Sequence, residues 1–97
     1  MTNDLTAKNQ TIYVIDDDTA LRNAYAAELK KLGYAIRTAA DGLEGQKLVE
    51  DRIPDLVVLD MLMPNLDGVG FLTWLRGIEG GAQVKVVVVS NFESMPE

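Results

Sequence analysis

The sequence predicts a single α/β domain, a doubly wound parallel sheet with helices on both faces. Three observations carry that expectation. Four short apolar runs (11–15, 34–39, 55–60 and 84–89) alternate with three segments of helical periodicity. The runs Leu56 to Leu59 and Val86 to Val89 are continuously apolar, as suits strands covered on both faces. Aspartates stand where the first and third runs end, and a carboxylate after an apolar strand is costly unless it meets water, a cation or donors.

Taken in order, residues 1–10 are polar and read as a lead-in to a domain spanning 11–97. Thr11-Ile-Tyr-Val-Ile15 is β-branched and aromatic, a strand that stops at Asp16-Asp17-Asp18. Asp18 or Thr19 can cap the helix that follows. Leu21, Tyr25, Leu29 and Leu32 share one face of a helix over 19–32, and Arg22, Glu28, Lys30 and Lys31 fall largely off it. Gly33 marks its end. Tyr34 to Ala39 is a second strand, and Asp41-Gly42 opens a second helix over 43–52. Leu48 and Val49 point inward in that helix. Gly45 within it reads either as a close-packed position or as a weakness of about 1 kcal/mol relative to Ala. Pro54 ends the segment. The third strand runs over 55–60, Pro64 to Gly68 is a loop, and a helix from Gly68 to Ile78 buries Phe71, Leu72 and Leu75, with Trp74 partly on the surface. Gly80-Gly81 turns the chain into the strand 84–89. The order β-α-β-α-β-α-β implies right-handed crossovers.

Composition narrows the function. Ninety-seven residues allow one domain, and 47% hydrophobic content is enough for a core. A net charge of −6 disfavours nucleic acid and anionic membrane and suits a cation. The chain has no cysteine and no histidine, so thiolate chemistry, the commonest general base and the commonest zinc ligand are absent. A metal here is a hard one held by oxygen. No apolar run approaches the roughly 20 residues of a membrane span, and the N-terminus lacks a signal-peptide pattern, so a cytoplasmic protein is expected.

Asp16 and Asp17 end the first strand and Asp60 ends the third. If those strands are neighbours, their ends lie about 5 Å apart and three carboxylates converge on one rim of the sheet. Their repulsion raises at least one pKa unless a cation intervenes, and Mg²⁺ fits. Taken alone, Asp60 is equally readable as a turn or helix-capping residue.

With these residues in place the sequence resembles the receiver domain of two-component response regulators. The resemblance rests on the acidic pair in Ile15-Asp16-Asp17, on Asp60-Met-Leu-Met63-Pro64-Asn-Leu-Asp67-Gly68, and on the hydroxyl residue Ser90 after the fourth strand. It covers residues 11 to 92 and implies a flavodoxin-like sheet of strand order 2-1-3-4-5. It further implies that Asp60 is the phosphoacceptor for a histidine kinase or phosphotransfer protein. Asp17 then ligates Mg²⁺ directly, Asp16 acts through water, and Leu62 adds its backbone carbonyl. Ser90 senses the phosphoryl group. Asp18 stays outside this set as a helix cap.

The sequence departs from the family pattern in three ways. Family members continue with a fourth helix, a fifth strand ending in a lysine that pairs with the phosphoacceptor, and a fifth helix. The resemblance therefore implies a receiver domain shortened to about four strands and three helices. Lys85 starts the fourth strand and cannot replace that lysine. Asn91 stands where a small residue is usual. Shortening would leave strand 84–89 as an apolar edge, from which a homodimer by edge pairing or segment swap is expected, unless the chain is a fragment.

Two other readings compete. One is a non-phosphorylated interaction module that keeps the fold and works through its edge or helix surface. The other is an Asp-nucleophile phosphatase, but Asp16-Asp17-Asp18-Thr19 is one residue short of Asp-x-Asp-x-Thr. Gly68-Val-Gly70 is not a dinucleotide fingerprint, and no phosphate-cradling Gly-x-x-x-x-Gly-Lys is present.

Overall fold

A computed structural model of the chain describes residues 10–89. Strands β1 (Thr11–Ile15), β2 (Ala35–Ala39), β3 (Leu56–Asp60) and β4 (Lys85–Val89) alternate with helices α1 (Thr19–Lys31), α2 (Gly42–Asp51) and α3 (Gly68–Gly77). A short 3₁₀ turn, Gly81–Gln83, precedes β4. All strand pairs are parallel, in the order β2-β1-β3-β4. The chain steps from β1 outward to β2 and then returns to β3 on the other side of β1. That reversal opens a crevice between the carboxyl ends of β1 and β3, the switch point where doubly wound sheets bind ligands.

Each helix starts on an aspartate. Asp18 accepts from Leu21 N, Asp41 from Glu44 N and Asp67 from Gly70 N, at 3.0, 2.8 and 2.8 Å. Such caps contribute about 1 kcal/mol each. Asp18 thus takes the capping role expected of it.

The core lies between the sheet and the α2–α3 pair. Alternate residues of the central strands, Tyr13, Ile15, Val57 and Leu59, pack with Val49, Phe71 and Leu75. Trp74 is half-buried against this cluster, its ring centroid 5.7 Å from that of Phe71. Gly45 is a close-packed position. A Cβ there would stand 2.7 Å from Ile15 Cδ1 and 3.0 Å from Phe71 Cε1. The intervening residues Ile12 and Val14 face the opposite side and are also buried, under α1, which packs on β1 and β2.

α1 covers less than its sequence stripe suggests. Leu21, Tyr25 and Leu29 are half-buried and only Ala26 is fully so. Leu32, expected on the inward face, is 61% exposed. It is the C-cap, at the turn that Gly33 (φ 98°) completes, so its side chain falls outside the packed stripe. Among the described residues, no helix is long and apolar enough to cross a membrane.

Candidate functional site

The parallel register places Ile15 beside Leu59, so Asp16 and Asp60 follow at adjacent strand ends. One carboxylate oxygen each from Asp16, Asp17 and Asp60 lies within 4.8 Å of the others. Asp16 and Asp60 are buried, at 2% and 7% exposure, and Asp17 is exposed. Asp16 is tied on every side. Its N–H donates to Ala39 O (3.1 Å), its Oδ1 accepts from Asp18 N–H (2.9 Å) and its carbonyl accepts from Arg22 Nη1 (2.9 Å). Asp60 Oδ1 accepts from Leu62 N–H at 3.1 Å.

Desolvation pushes the Asp60 carboxyl above the usual carboxylate range, against the opposing pull of the Leu62 N–H, and the Asp16 charge adds to the rise. Asp17 is raised as well, by desolvation first and then by the neighbouring Asp60 carboxylate. Both shifts disfavour the fully ionised cluster, first through desolvation and then through the nearness of the carboxylates to one another. Three carboxylates in a chain without histidine or cysteine form an all-oxygen donor set. That set fits a hard divalent cation of the Mg²⁺ kind, which takes one or two carboxylates and keeps several waters.

The loop between β3 and α3 holds Asp60 from the other side. Gly68 N–H donates to Met61 O at 3.3 Å. A Cβ on Gly68 would stand 2.5 Å from Met61 Cα and 2.7 Å from Asp60 O, so only glycine lets the start of α3 approach the end of β3. Asn65 adopts a left-handed conformation (φ 66°), and its Nδ2 donates to Asp41 Oδ2 at 2.7 Å. Gly42 N–H donates to Leu66 O at 3.1 Å. The loop is thus fastened to the N-terminus of α2.

Asp16, Asp17 and Asp60 are therefore brought together as the sequence implied. Leu62 lies beside them, joined through its N–H to Asp60. Ser90 and Asn91 lie outside the described residues. Lys85 pairs with Leu56 while Asp60 pairs with Val89, which puts Lys85 at the opposite end of the sheet. Sequence reasoning missed Arg22, placed merely off the apolar face of α1, and the Asn65–Asp41 tie. Asn is a common left-handed residue in turns, which is the one signal that pointed to Asn65.

Comparisons with known proteins agree with this geometry. A family model, the response regulator receiver domain, matches residues 12–97. The chain is 37% identical over 86 residues to the response regulator MprA of Mycobacterium sp. (strain KMS), covering 89% of this chain and 36% of that protein. It is 35% identical over 79 residues to the DNA-binding dual master transcriptional regulator RpaA of Synechocystis sp. (strain ATCC 27184 / PCC 6803 / Kazusa), covering 81% of this chain and 33% of that one. The chain thus spans about a third of the length of these relatives. Among solved structures, the N-terminal domain of a response regulator receiver protein from Methanoculleus marisnigri JR1 superposes with a TM-score of 0.77 at 29% identity, over 81% of this chain and 64% of that one. A Francisella response regulator receiver domain also gives 0.77 at 29% identity, over 90% of this chain and 70% of that one. The chain belongs to the response regulator receiver domain family and has its flavodoxin-like, doubly wound parallel fold.

Proposed function

We propose that this domain is the phosphoacceptor of a two-component phosphorelay and takes a phosphoryl group on Asp60 from a histidine kinase or a phosphotransfer protein. The observation that carries the reading is the meeting of three carboxylate oxygens within 4.8 Å at the switch point of the sheet. In this reading Asp16, Asp17, Asp60 and the backbone carbonyl of Leu62 hold Mg²⁺, with Asp16 acting through water. The ion supplies the positive charge that lets an anionic phosphoryl group approach a carboxylate.

The chain's own residues do the rest. An Asp60 carboxylate oxygen attacks phosphorus in line while the P–N bond of the donor phosphohistidine breaks. The bonding electron pair stays on the imidazole nitrogen, and the product is an aspartyl phosphate. The Leu62 N–H, 3.1 Å from Asp60 Oδ1, orients the nucleophile. The Ser90 hydroxyl, outside the described residues, then bonds a phosphoryl oxygen and carries the change outward. The domain modifies itself and turns over no separate substrate. With a net charge of −6 it makes no nucleic-acid contact of its own, and it works in the cytoplasm.

Incubation with Mg²⁺ and a small-molecule phosphodonor, followed by intact mass measurement, tests this. One phosphoryl group per chain is expected, absent in Asp60→Asn and absent when the cation is chelated. A wild-type chain that gains no mass, or a variant that still does, overturns the assignment.

A second reading, an interaction module that self-associates, draws on β4. Val87 and Val88 are 49% and 50% exposed, and among the described residues β4 pairs only with β3. Exposed apolar strand edges invite pairing with another chain. Sedimentation equilibrium across a wide concentration range is expected to show a rising average mass. A constant monomer mass eliminates the homodimer.

A further inference from the structure

Arg22 lies one turn into α1, yet its side chain returns to the end of β1. Its Nη1 donates to the backbone carbonyl of Asp16 at 2.9 Å, and its own N–H donates to Asp18 O at 2.8 Å. The side chain is half-buried. The carbonyl it grips belongs to the peptide that joins Asp16 to Asp17, the two carboxylates that β1 contributes to the cluster. Asp16 is fixed by burial as well as by its bonds to Ala39 and Asp18. Asp17 is exposed, so packing does little to hold it. The orientation of the peptide that precedes Asp17 is one restraint on where its carboxylate points, and the bond from Arg22 Nη1 to the Asp16 carbonyl acts directly on that peptide.

We propose that Arg22 is a positioning residue for cation binding, acting through its hydrogen bond to the Asp16 carbonyl and not through its charge. The proposal rests on the phosphoacceptor reading of the same cluster. The two possible actions of a guanidinium have opposite signs. As a fixed positive charge it repels a cation, across a rim where water screens the interaction. As a donor it holds a ligand peptide in place, at contact distance and unscreened. Groups that orient metal ligands typically change affinity by about 10–100-fold when removed. The hydrogen bond is therefore expected to outweigh the repulsion.

Mg²⁺ titration by calorimetry at neutral pH, on the wild-type chain and on Arg22→Met and Arg22→Lys, distinguishes the two. Arg22→Met is expected to bind Mg²⁺ about tenfold more weakly. Arg22→Lys keeps a cationic donor and is expected to stay within about threefold of wild type. Circular dichroism confirms that each variant is folded, so that affinity is read on native protein. Should Arg22→Met not fold, Arg22→Leu, which also lacks a donor, takes its place with the same expectation relative to Arg22→Lys. An Arg22→Met affinity equal to or tighter than wild type overturns the proposal, and so does an Arg22→Lys that falls as far as Arg22→Met. A wild-type chain that binds no Mg²⁺ and takes up no phosphoryl group overturns the phosphoacceptor reading itself. A wild type that does both, beside an Arg22→Met that binds as well, overturns the role of Arg22 alone.

Discussion

At the scale of single residues, the acidic cluster sets the carboxylates against the stability of the fold at neutral pH. Asp60 and Asp17 both have carboxyl groups raised above their unfolded values, chiefly by desolvation. A group raised in the folded state favours folding below its unfolded pKa, about 4 for Asp, and loses that contribution as pH climbs through the folded value. Asp41 runs the other way. The Glu44 N–H and the Asn65 amide hold it below the usual range, so its contribution is present at neutral pH and fades on acidification. The cluster can be isolated by comparing wild type with Asp60→Asn, which keeps an acceptor for the Leu62 N–H but removes the charge. In the presence of a chelator, Asp60→Asn is expected to be the more stable of the two at pH 7. The gap should close toward pH 4, as urea unfolding at several pH values will show. Equal stability at pH 7 would mean that the cluster carries no electrostatic strain. Saturating Mg²⁺ should narrow the gap from the other side, because a ligand bound only by the folded state stabilises it.

At the scale of elements, the β3–α3 connection decides where Asp60 points. Asp67 caps α3 through Gly70 N at 2.8 Å, and Asp67→Ala is expected to cost about 1 kcal/mol without moving the cluster. Gly68→Ala is a different case. Its new Cβ meets backbone atoms, Met61 Cα and Asp60 O, and neither is the yielding tip of a side chain. We expect a loss of about 2–3 kcal/mol in chemical denaturation, together with weaker Mg²⁺ binding, as overpacking against backbone displaces the end of β3. Gly68→Ala matching wild type on both counts would show that the loop yields freely.

The same elements show how far the sequence could be read. Strand and helix positions followed from periodicity and capping because both are local properties. Asp18, Asp41 and Gly33 announced their ends, and the register of three aspartates against two strands announced the site. Gly45 stayed ambiguous, since closeness to Ile15 and Phe71 depends on how two elements meet. Leu32 was misplaced because periodicity carries a stripe one residue beyond the point where the backbone turns. Arg22 was invisible for a related reason. A helical wheel says which way a side chain leaves the axis, not that a long one folds back 6 residues to a carbonyl.

At the scale of the whole molecule, the sheet is unevenly protected, and this separates the part that holds the site from the part that borders solvent. All five residues of β1 are buried, and β1 bonds to β2 on one side and β3 on the other. β2 is an edge strand whose residues are mostly exposed, with Ala39 alone buried. Both strands reach the cluster, β1 by carrying Asp16 and β2 through the bond from Asp16 N–H to Ala39 O at 3.1 Å. Exchange of a buried amide bonded between two central strands requires nearly global opening, whereas an edge strand can peel away locally. Hydrogen exchange on the native chain is therefore expected to leave the amides of Tyr13 and Ile15, which face β3, protected about as long as the fold lasts, with those of Ile36 to Thr38 exchanging faster by at least an order of magnitude. The Asp16 amide reports which strand governs the site. Protection matching β1 means that the cluster is anchored in the centre of the sheet and survives fraying of β2. Protection matching β2 means that peeling the edge also loosens Asp16, and cation binding should then slow exchange in both.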